Sequence, residues 1–308
     1  MIWISEARHP KDMADTHTFH AHKLFGVPNY VCVITGGGSG IGLMSAQALA
    51  ANGAKVYITG RRVEALEKAA KSHDPSTERG GSIIPLGPCD VTKKEDLQRI
   101  VDELSQKETY INMLMCNAGI PGPKAEPDEA DASNLKKKLW EKESVADWQS
   151  TFDADVTSVY FTTVAFLPLL QSALKPNGPL ERFAPSVITT SSMSGLIRHA
   201  QGHFSYNAAK AATVHLTKLM SSEFQKAGVR VNSIAPGYFP SEMTAKESDE
   251  HQKSHLPPER IADKGHVPLM RGGKDEEMGM CVLFLTKNEY VNGQILAVDG
   301  GVLNVIAQ

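Results

Sequence analysis

The chain has 308 residues, of which 41% are hydrophobic and 22% are charged, and its formal net charge is −3. This composition is typical of a globular protein, and the length suits one large α/β domain. The charge balance excludes the concentrated basic surface that nucleic acids and anionic membranes require, and no apolar run approaches the roughly 20 residues of a bilayer-spanning helix. Four scattered cysteines predict buried thiols in a reducing compartment. We therefore expect a cytoplasmic protein without nucleic-acid or membrane partners.

Residues 1–29 precede the first long apolar run and are predicted to form an N-terminal arm, whereas 30–308 are predicted to fold as a single domain. The arm contains His17, His20 and His22, but no acidic or cysteine side chain is spaced with them as metal ligands usually are. A surface arm is therefore favoured over a metal site, and no metal is expected.

A glycine-rich stretch lies between an apolar run and an alanine-rich segment. The run at 30–34 predicts a buried parallel strand, and the segment at 43–52 predicts a helix. Glycines at such a turn let the backbone approach a ligand closely, and the helix N-terminus favours a pyrophosphate. The stretch therefore predicts a nucleotide site, with a purely structural turn as the alternative. Its predicted cofactor contacts are Thr35, Gly36, Gly38, Ser39, Gly40, Ile41 and Gly42.

The second predicted strand, at 54–59, leads into Arg61 and Arg62. In a Rossmann fold an acidic residue at this point binds the adenosine ribose of NAD, whereas an arginine accommodates the 2′-phosphate of NADP. Because no acidic residue is present, NADP(H) is favoured over NAD(H). The alternative is that both arginines only begin a solvated helix at 63–71.

Strands and helices alternate along the rest of the chain. A third strand near 82–92 contains prolines that indicate an edge position, and a fourth is predicted at 111–116. A polar excursion at 121–143 precedes a long helix from Trp148 to about Leu170. Further elements are strands at 186–190, 230–234 and 294–298, a helix from about Ser205, and a substrate lid at about 242–266. This order predicts an α/β fold: a Rossmann-type doubly wound parallel sheet of about seven strands with helices on both faces.

Tyr206 and Lys210 are four residues apart on a predicted helix and therefore share a face. The ordinary pKa of a tyrosine, near 10, makes it a poor proton donor and acceptor at pH 7, and a neighbouring ammonium lowers that pKa. The spacing alone is common by chance. It gains weight from the predicted nucleotide site and from Ser192, which follows a strand and precedes Tyr206 by fourteen residues.

Together these features resemble the short-chain dehydrogenase/reductase family, over about residues 30–308. The matching motifs are Thr35-Gly36-x-x-x-Gly40-Ile41-Gly42, Asp90-Val91, Asn117-Ala118-Gly119, Ser192, Tyr206-x-x-x-Lys210, Pro236-Gly237 and Ser241. The resemblance implies that Asp90 and Val91 contact the adenine. It also implies that Asn117, Ala118 and Gly119 line the cofactor site, and that Pro236, Gly237 and Ser241 lie beside the nicotinamide.

The resemblance also implies a role for each side chain of the reaction centre. Tyr206 would exchange a proton with the substrate oxygen, and Ser192 would hydrogen-bond that oxygen. Lys210 would hold the nicotinamide ribose and lower the pKa of Tyr206. Tyr238 and Phe239 would help to shape the substrate pocket.

Two positions depart from the family pattern. Asp155 occupies the place of the family's fourth catalytic residue, an asparagine whose backbone carbonyl is thought to anchor a water leading to the lysine. An aspartate here is either a tolerated variant or a partner of Lys210 that alters the proton relay. Ser39 replaces the basic residue that many NADP-preferring relatives have, which weakens the cofactor prediction without reversing it.

The sequence therefore predicts an NADPH-dependent carbonyl reductase that acts on a small-molecule carbonyl or alcohol. It is similar to fungal or other microbial carbonyl and 3-oxoacyl reductases, and a role in secondary metabolism is expected. The family resemblance implies a homodimer or homotetramer. One alternative is an NAD-dependent alcohol or sugar dehydrogenase on the same fold. The other is a redox-inactive, nucleotide-binding regulatory protein, for which Asp155 is the only support.

Overall fold

The computed structural model describes residues 16–75, 80–175 and 184–306. Within these ranges the strands form one seven-stranded parallel sheet of order β3-β2-β1-β4-β5-β6-β7. The strands are β1 (Val31–Thr35), β2 (Lys55–Gly60), β3 (Ser82–Pro88), β4 (Met113–Cys116), β5 (Ser186–Thr190), β6 (Arg230–Pro236) and β7 (Ile295–Val298). The predicted fold class is confirmed, and the proline-containing β3 lies at an edge of the sheet.

Helices cover both faces of this sheet. Their bounds are α1 (Ala21–Leu24), α2 (Gly40–Ala51), α3 (Val63–His73), α4 (Lys94–Ser105), α5 (Ala132–Trp140), α6 (Val145–Phe152), α7 (Ser158–Ser172), α8 (Phe204–Phe224), α9 (Glu242–Ala245), α10 (Pro258–Ala262) and α11 (Asp275–Lys287). Alternate residues of β1 enter two separate cores, because successive side chains of a strand point to opposite faces. Cys32 and Ile34 pack with α2 and α11, whereas Val31 and Val33 pack with α4 and α7.

The long helix predicted from Trp148 starts earlier and is not uniform. A reciprocal capping box begins α6, in which Ser144 accepts from the Asp147 N–H and the Asp147 carboxylate accepts from the Ser144 N–H. A π-helical turn, Asp153–Thr157, then separates α6 from α7. Such wide turns are rare and frequently lie at functional sites.

Helix α11 has no counterpart among the predicted elements. A glycine in its interior, Gly279, lowers the intrinsic helix propensity of the segment. In the fold this glycine allows close packing on α2, because a Cβ there would lie 2.9 Å from the Cβ of Ala48. The packing of α11 on α2 therefore stabilises this helix despite its interior glycine.

The described part of the N-terminal arm packs against the sheet domain. Val27 is buried, and its N–H donates to the Asn52 carbonyl just after α2. Residues 1–15 lie outside the described residues, and the division of the chain at residue 29 stays a prediction. Within the described ranges, no helix combines the length and apolar character needed to cross a membrane.

The sheet order reverses at β1, which lies between β2 and β4. Ligands of open α/β sheets bind beyond the carboxyl ends of the strands at such a reversal. The predicted glycine turn follows β1 at this point, and the predicted Asn117-Ala118-Gly119 motif follows β4 beside it.

We expect Arg230→Met to destabilise the fold strongly. The Arg230 guanidinium is fully buried and donates to the carbonyls of Ala184, Leu285, Thr286 and Val291. Because unpaired buried carbonyls are costly, the free energy of unfolding should fall by about 3 kcal/mol or more in urea titrations. Arg260→Met, at an exposed position of α10, is the matched control. A loss at Arg230 no larger than that of the control would contradict this account.

Candidate active site

The glycine turn between β1 and α2 is built by close backbone contacts. Gly36 and Gly40 have φ angles of +65° and +52°, in the left-handed region that favours glycine. A Cβ at Gly42 would lie 2.2 Å from the Gly36 carbonyl oxygen, so only glycine fits at the first turn of α2. The turn leaves an open cradle at the N-terminus of a twelve-residue helix, which fits a pyrophosphate.

Thr35 and Asn117 join the ends of β1 and β4 beneath this cradle. The Thr35 hydroxyl accepts hydrogen bonds from the N–H groups of Asn117 and Ala118, at 3.0 and 3.2 Å. The Asn117 amide donates back to the Thr35 and Gly36 carbonyls and accepts from the Thr190 hydroxyl at the end of β5. These contacts set the distance between three strand ends.

One open cleft runs over the carboxyl edge of the sheet and collects most of the predicted site residues. Those that line it are Gly36, Gly38, Ser39, Gly40, Ile41, Arg61, Arg62, Asp90, Val91, Asn117, Ala118, Gly119, Ser192, Tyr206, Lys210, Pro236, Gly237, Phe239 and Ser241. Thr35, Gly42, Asp155 and Tyr238 do not line it. The first three support residues that do.

The two arginines after β2 have different surroundings. Arg62 makes a two-oxygen ion pair with Glu242, the first residue of α9, at 2.7 and 3.0 Å. Arg61 is exposed and makes no hydrogen bond or ion pair within the described ranges. The pKa of the Asp90 carboxyl lies below its ordinary value, chiefly because the Thr92 hydroxyl donates a hydrogen bond to it, and the charge of Arg61 adds a smaller lowering effect. Arg61 is therefore the arginine available to a bound phosphate.

The reaction centre is assembled from β5, the turn after it, and α8. Ser192 begins the turn Met193–Gly195, where its hydroxyl accepts from the Ser194 N–H at 3.1 Å. A Cβ at Gly195 would lie 2.5 Å from the Lys210 main-chain carbon, so this glycine lets the turn press against α8. The Lys210 ammonium donates to the Thr190 carbonyl at 2.9 Å and lies 5.6 Å from the centre of the Tyr206 ring.

Opposing influences act on the phenol of Tyr206. Burial raises its pKa and is the largest effect, whereas the positive charge of Lys210 acts in the opposite direction without bringing the pKa below its ordinary value. The negative charge of Asp155 raises the pKa, and the hydrogen bond with Ser192 lowers it. The net pKa lies above the ordinary value, so the phenol is protonated at neutral pH in this structure.

Asp155 lies behind the cleft in the π-helical turn. Its side chain is fully buried, with Oδ1 accepting from the Ile120 N–H at 2.9 Å and lying 3.8 Å from the Lys210 ammonium. Burial raises the pKa of Asp155, while Lys210 and the Ile120 N–H counteract that rise. Its main-chain carbonyl accepts from the Thr213 hydroxyl at 2.6 Å. A Cβ at Gly119 would lie 2.4 Å from Oδ1, so the carboxylate fits only beside a glycine.

The two predicted substrate-pocket aromatics separate in the structure. Phe239 is buried and lines the cleft, and a Cβ at Gly273 would clash with its ring. Tyr238 turns toward the segment after α10, where its hydroxyl pairs with Nε2 of His266 at 3.0 Å and its ring lies under the Lys264 ammonium. Tyr238 therefore supports the segment that follows α10.

Several lining residues were not predicted from the sequence, among them Cys89, Thr92, Ile120 and the start of α9. Glu242 is the most consequential, because it engages Arg62 across 180 residues of chain. It directly follows Ser241, which caps α9 together with Thr244. Its acidic charge was the only available signal, and no local pattern pairs it with a particular arginine.

Comparisons with known proteins agree with this geometry. Residues 30–252 match the short chain dehydrogenase family. The short-chain dehydrogenase/reductase PhomF of Diaporthe leptostromiformis is 39% identical over 295 residues, covering 94% of this chain and 97% of that protein. The 3-oxoacyl-[acyl-carrier-protein] reductase FabG of Chlamydia muridarum is 32% identical over 276 residues, covering 89% and 97%. The Pseudomonas aeruginosa RhlG/NADP active-site complex aligns with a TM-score of 0.74 at 27% identity, covering 91% and 98%.

We expect Thr35→Val to weaken the site while preserving side-chain shape. Loss of the hydroxyl leaves the Asn117 and Ala118 N–H groups unpaired, which should cost about 1–3 kcal/mol of stability and loosen the cradle. NADPH and NADH should both bind more weakly in fluorescence titrations. Thr286→Val is a matched control, because Thr286 is equally buried but its hydroxyl donates, among the residues that the structure describes, only to the Val282 carbonyl of its own helix. Equal cofactor affinities in the two variants would contradict the proposed role of the Thr35 hydroxyl in shaping the cradle.

Proposed function

Because this chain belongs to the short-chain dehydrogenase/reductase family, we propose that it is an NADPH-dependent carbonyl reductase in which Tyr206 donates a proton to the carbonyl oxygen of a small-molecule substrate. The observation that carries the proposal is the arrangement of the cleft. Ser192, Tyr206 and Lys210 meet at one end of it, Arg61 stands toward the other, and the glycine cradle lies between them.

The cleft suits a nicotinamide dinucleotide. The cradle at the start of α2 would hold the pyrophosphate, and Asp90 and Val91 would border the adenine. Lys210 would hold the nicotinamide ribose, while Pro236, Gly237 and Ser241 would border the nicotinamide. The bound cofactor supplies the hydride.

The side chains of the chain supply proton transfer and charge stabilisation. The Ser192 hydroxyl, fixed by the Ser194 N–H, would hydrogen-bond the substrate oxygen as negative charge develops there. Tyr206, whose phenol is protonated at neutral pH, would donate its proton to that oxygen. The Lys210 ammonium would stabilise the resulting phenolate. Phe239 would form part of the apolar wall against the substrate.

The preference for NADPH rests on the difference between the arginines. Arg61 is exposed and has no ion-pair partner within the described ranges, whereas Arg62 is engaged by Glu242. A 2′-phosphate beside Arg61 would form charge-assisted hydrogen bonds, which are stronger than those a ribose hydroxyl makes.

A second candidate is an NAD-dependent alcohol or sugar dehydrogenase. One observation favours it: residue 39, which lines the cradle, is a serine without the charge that would strengthen a phosphate site. The redox-inactive alternative has less support, because Ser192, Tyr206 and Lys210 are all positioned in the cleft. A role in secondary metabolism and a homodimer or homotetramer remain part of the proposal.

Tyr206→Phe should lower kcat/KM for carbonyl reduction by a factor of about 10²–10⁴, because the proton donor is removed. NADPH consumption against a panel of small ketones and 3-oxoacyl thioesters provides the measurement. NADPH affinity should change little. Tyr160→Phe, at an exposed position of α7, is the matched control. A Tyr206→Phe enzyme as active as the control would refute the proposed role of this phenol.

The cofactor preference is tested by titrating NADPH and NADH into Arg61→Ala and Arg62→Ala proteins. Arg61→Ala should weaken NADPH by about tenfold or more and leave NADH unchanged, because only NADPH carries the 2′-phosphate. Arg62→Ala should affect both cofactors in equal proportion, since it removes the contact with Glu242. If only Arg62→Ala lost NADPH affinity selectively, Arg62 and not Arg61 would be the arginine that binds the 2′-phosphate. Preference for NADH in the wild type would favour the dehydrogenase instead.

A further inference from the structure

The structure places a negative side chain where it can balance the charge of Lys210. The Lys210 side chain is only 5% exposed and that of Asp155 is fully buried, so both groups are removed from solvent. A buried ammonium is costly unless an opposite charge or several acceptors compensate it. Lys210 has the Thr190 carbonyl at 2.9 Å and the Asp155 carboxylate at 3.8 Å.

Two structural features hold Asp155 in this position. The π-helical turn between α6 and α7 carries the residue, and the Ile120 N–H donates to its Oδ1 from the loop after β4. Its second oxygen, Oδ2, has no hydrogen-bond partner within the described ranges. A Cβ at Gly119 would lie 2.4 Å from Oδ1 and 3.4 Å from the Lys210 ammonium, so the absence of a side chain at residue 119 leaves room for both groups.

The electrostatic consequence concerns Tyr206. If Asp155 were neutral, ionisation of Tyr206 would give Lys210 a buried counter-charge and would be favoured. With an ionised carboxylate already present, a phenolate would place two negative charges beside one ammonium. The charged groups that act on the phenol are Lys210 from its own helix and Asp155 from the π-helical turn, and Ser192 after β5 adds a hydrogen bond.

We propose that Asp155 is the counter-ion of Lys210 and that it keeps the Tyr206 hydroxyl protonated, which sets the site to donate a proton to a carbonyl. Asp155 is thus a positioning residue that acts through Lys210. The inference deepens the proposed function, because it assigns Asp155 a part in favouring reduction over alcohol oxidation. The main-chain carbonyl of Asp155 already accepts a hydrogen bond from the Thr213 hydroxyl. The proposed effect on Lys210 and Tyr206 therefore belongs to the Asp155 side chain.

The test is a direct titration of Tyr206 in the full-length protein without cofactor. Tyrosine labelled with ¹³C at Cζ is followed by NMR between pH 6 and 11, and Tyr206→Phe assigns the resonance. Asp155→Asn keeps the side-chain shape and removes the charge, so the titration of Tyr206 should move to lower pH by about one unit. Asp153→Asn, two residues away and exposed, removes the same charge and should leave the titration unchanged. A shift of less than 0.2 units in Asp155→Asn, or one equal to that of the control, would overturn the proposal.

A pair of variants covers the case in which Asp155→Asn does not fold. Asp155→Ser and Asp155→Ala each remove the carboxylate with a smaller side chain, while Lys210 stays in place. The titration of Tyr206 should move to lower pH in whichever of the two variants folds. A Tyr206 titration unchanged from that of the wild type would overturn the proposal. These titrations need no turnover and are therefore independent of the ketone-reduction assay of Tyr206→Phe. A failure of the Asp155 proposal can thus be distinguished from a failure of the proposed function.

The pH dependence of kcat/KM provides a second test, with a shift expected in the same direction. Reduction requires the neutral phenol, so kcat/KM falls as the pH rises through the pKa of Tyr206. With a small aromatic 1,2-diketone as the probe and NADPH at saturation, the alkaline limb should move down by about one pH unit in Asp155→Asn. The limb of Asp153→Asn should match that of the wild type. An alkaline limb that stays in place in Asp155→Asn would contradict the proposed balance of charge.

Discussion

The site depends on a hydrogen-bonded junction at the reversal of the sheet order. The Thr35 hydroxyl, at the end of β1, accepts hydrogen bonds from two N–H groups of the loop after β4. Asn117 extends the junction to β5 through Thr190. Because parallel strands leave their carboxyl ends side by side, this junction sets the spacing between the glycine cradle and the reaction centre.

Glycines then determine how closely the pieces of the site approach. Gly42 lets α2 start against the Gly36 carbonyl, Gly195 lets the Ser192 turn press on α8, and Gly119 makes room for Asp155. Each brings chain segments together at distances that a Cβ would forbid. The shape of the cleft follows from these contacts as much as from the polar residues that line it.

Charge in the site is organised around two cations with different partners. Lys210 is buried and shares its surroundings with Tyr206 and Asp155, so the protonation of Tyr206 depends on the charges of the other two side chains. Arg62 is exposed and ties α9 to the end of β2 through Glu242, which leaves Arg61 for a ligand. In the proposed function, the first arrangement would govern proton transfer, and the second would govern which arginine can contact the cofactor.

The sequence by itself determined a doubly wound sheet of about seven parallel strands, the glycine turn and the Tyr206/Lys210 spacing, because these follow from local periodicity and short motifs. It also placed Asp155 opposite Lys210 as one of two alternatives. The sequence did not predict α11, whose interior glycine is explained by the contact with Ala48, or the role of Glu242, whose partner is 180 residues away. Tyr238 does not line the cleft and contacts His266, in the segment predicted to form the lid. These features depend on distances between remote segments, which only the tertiary structure decides.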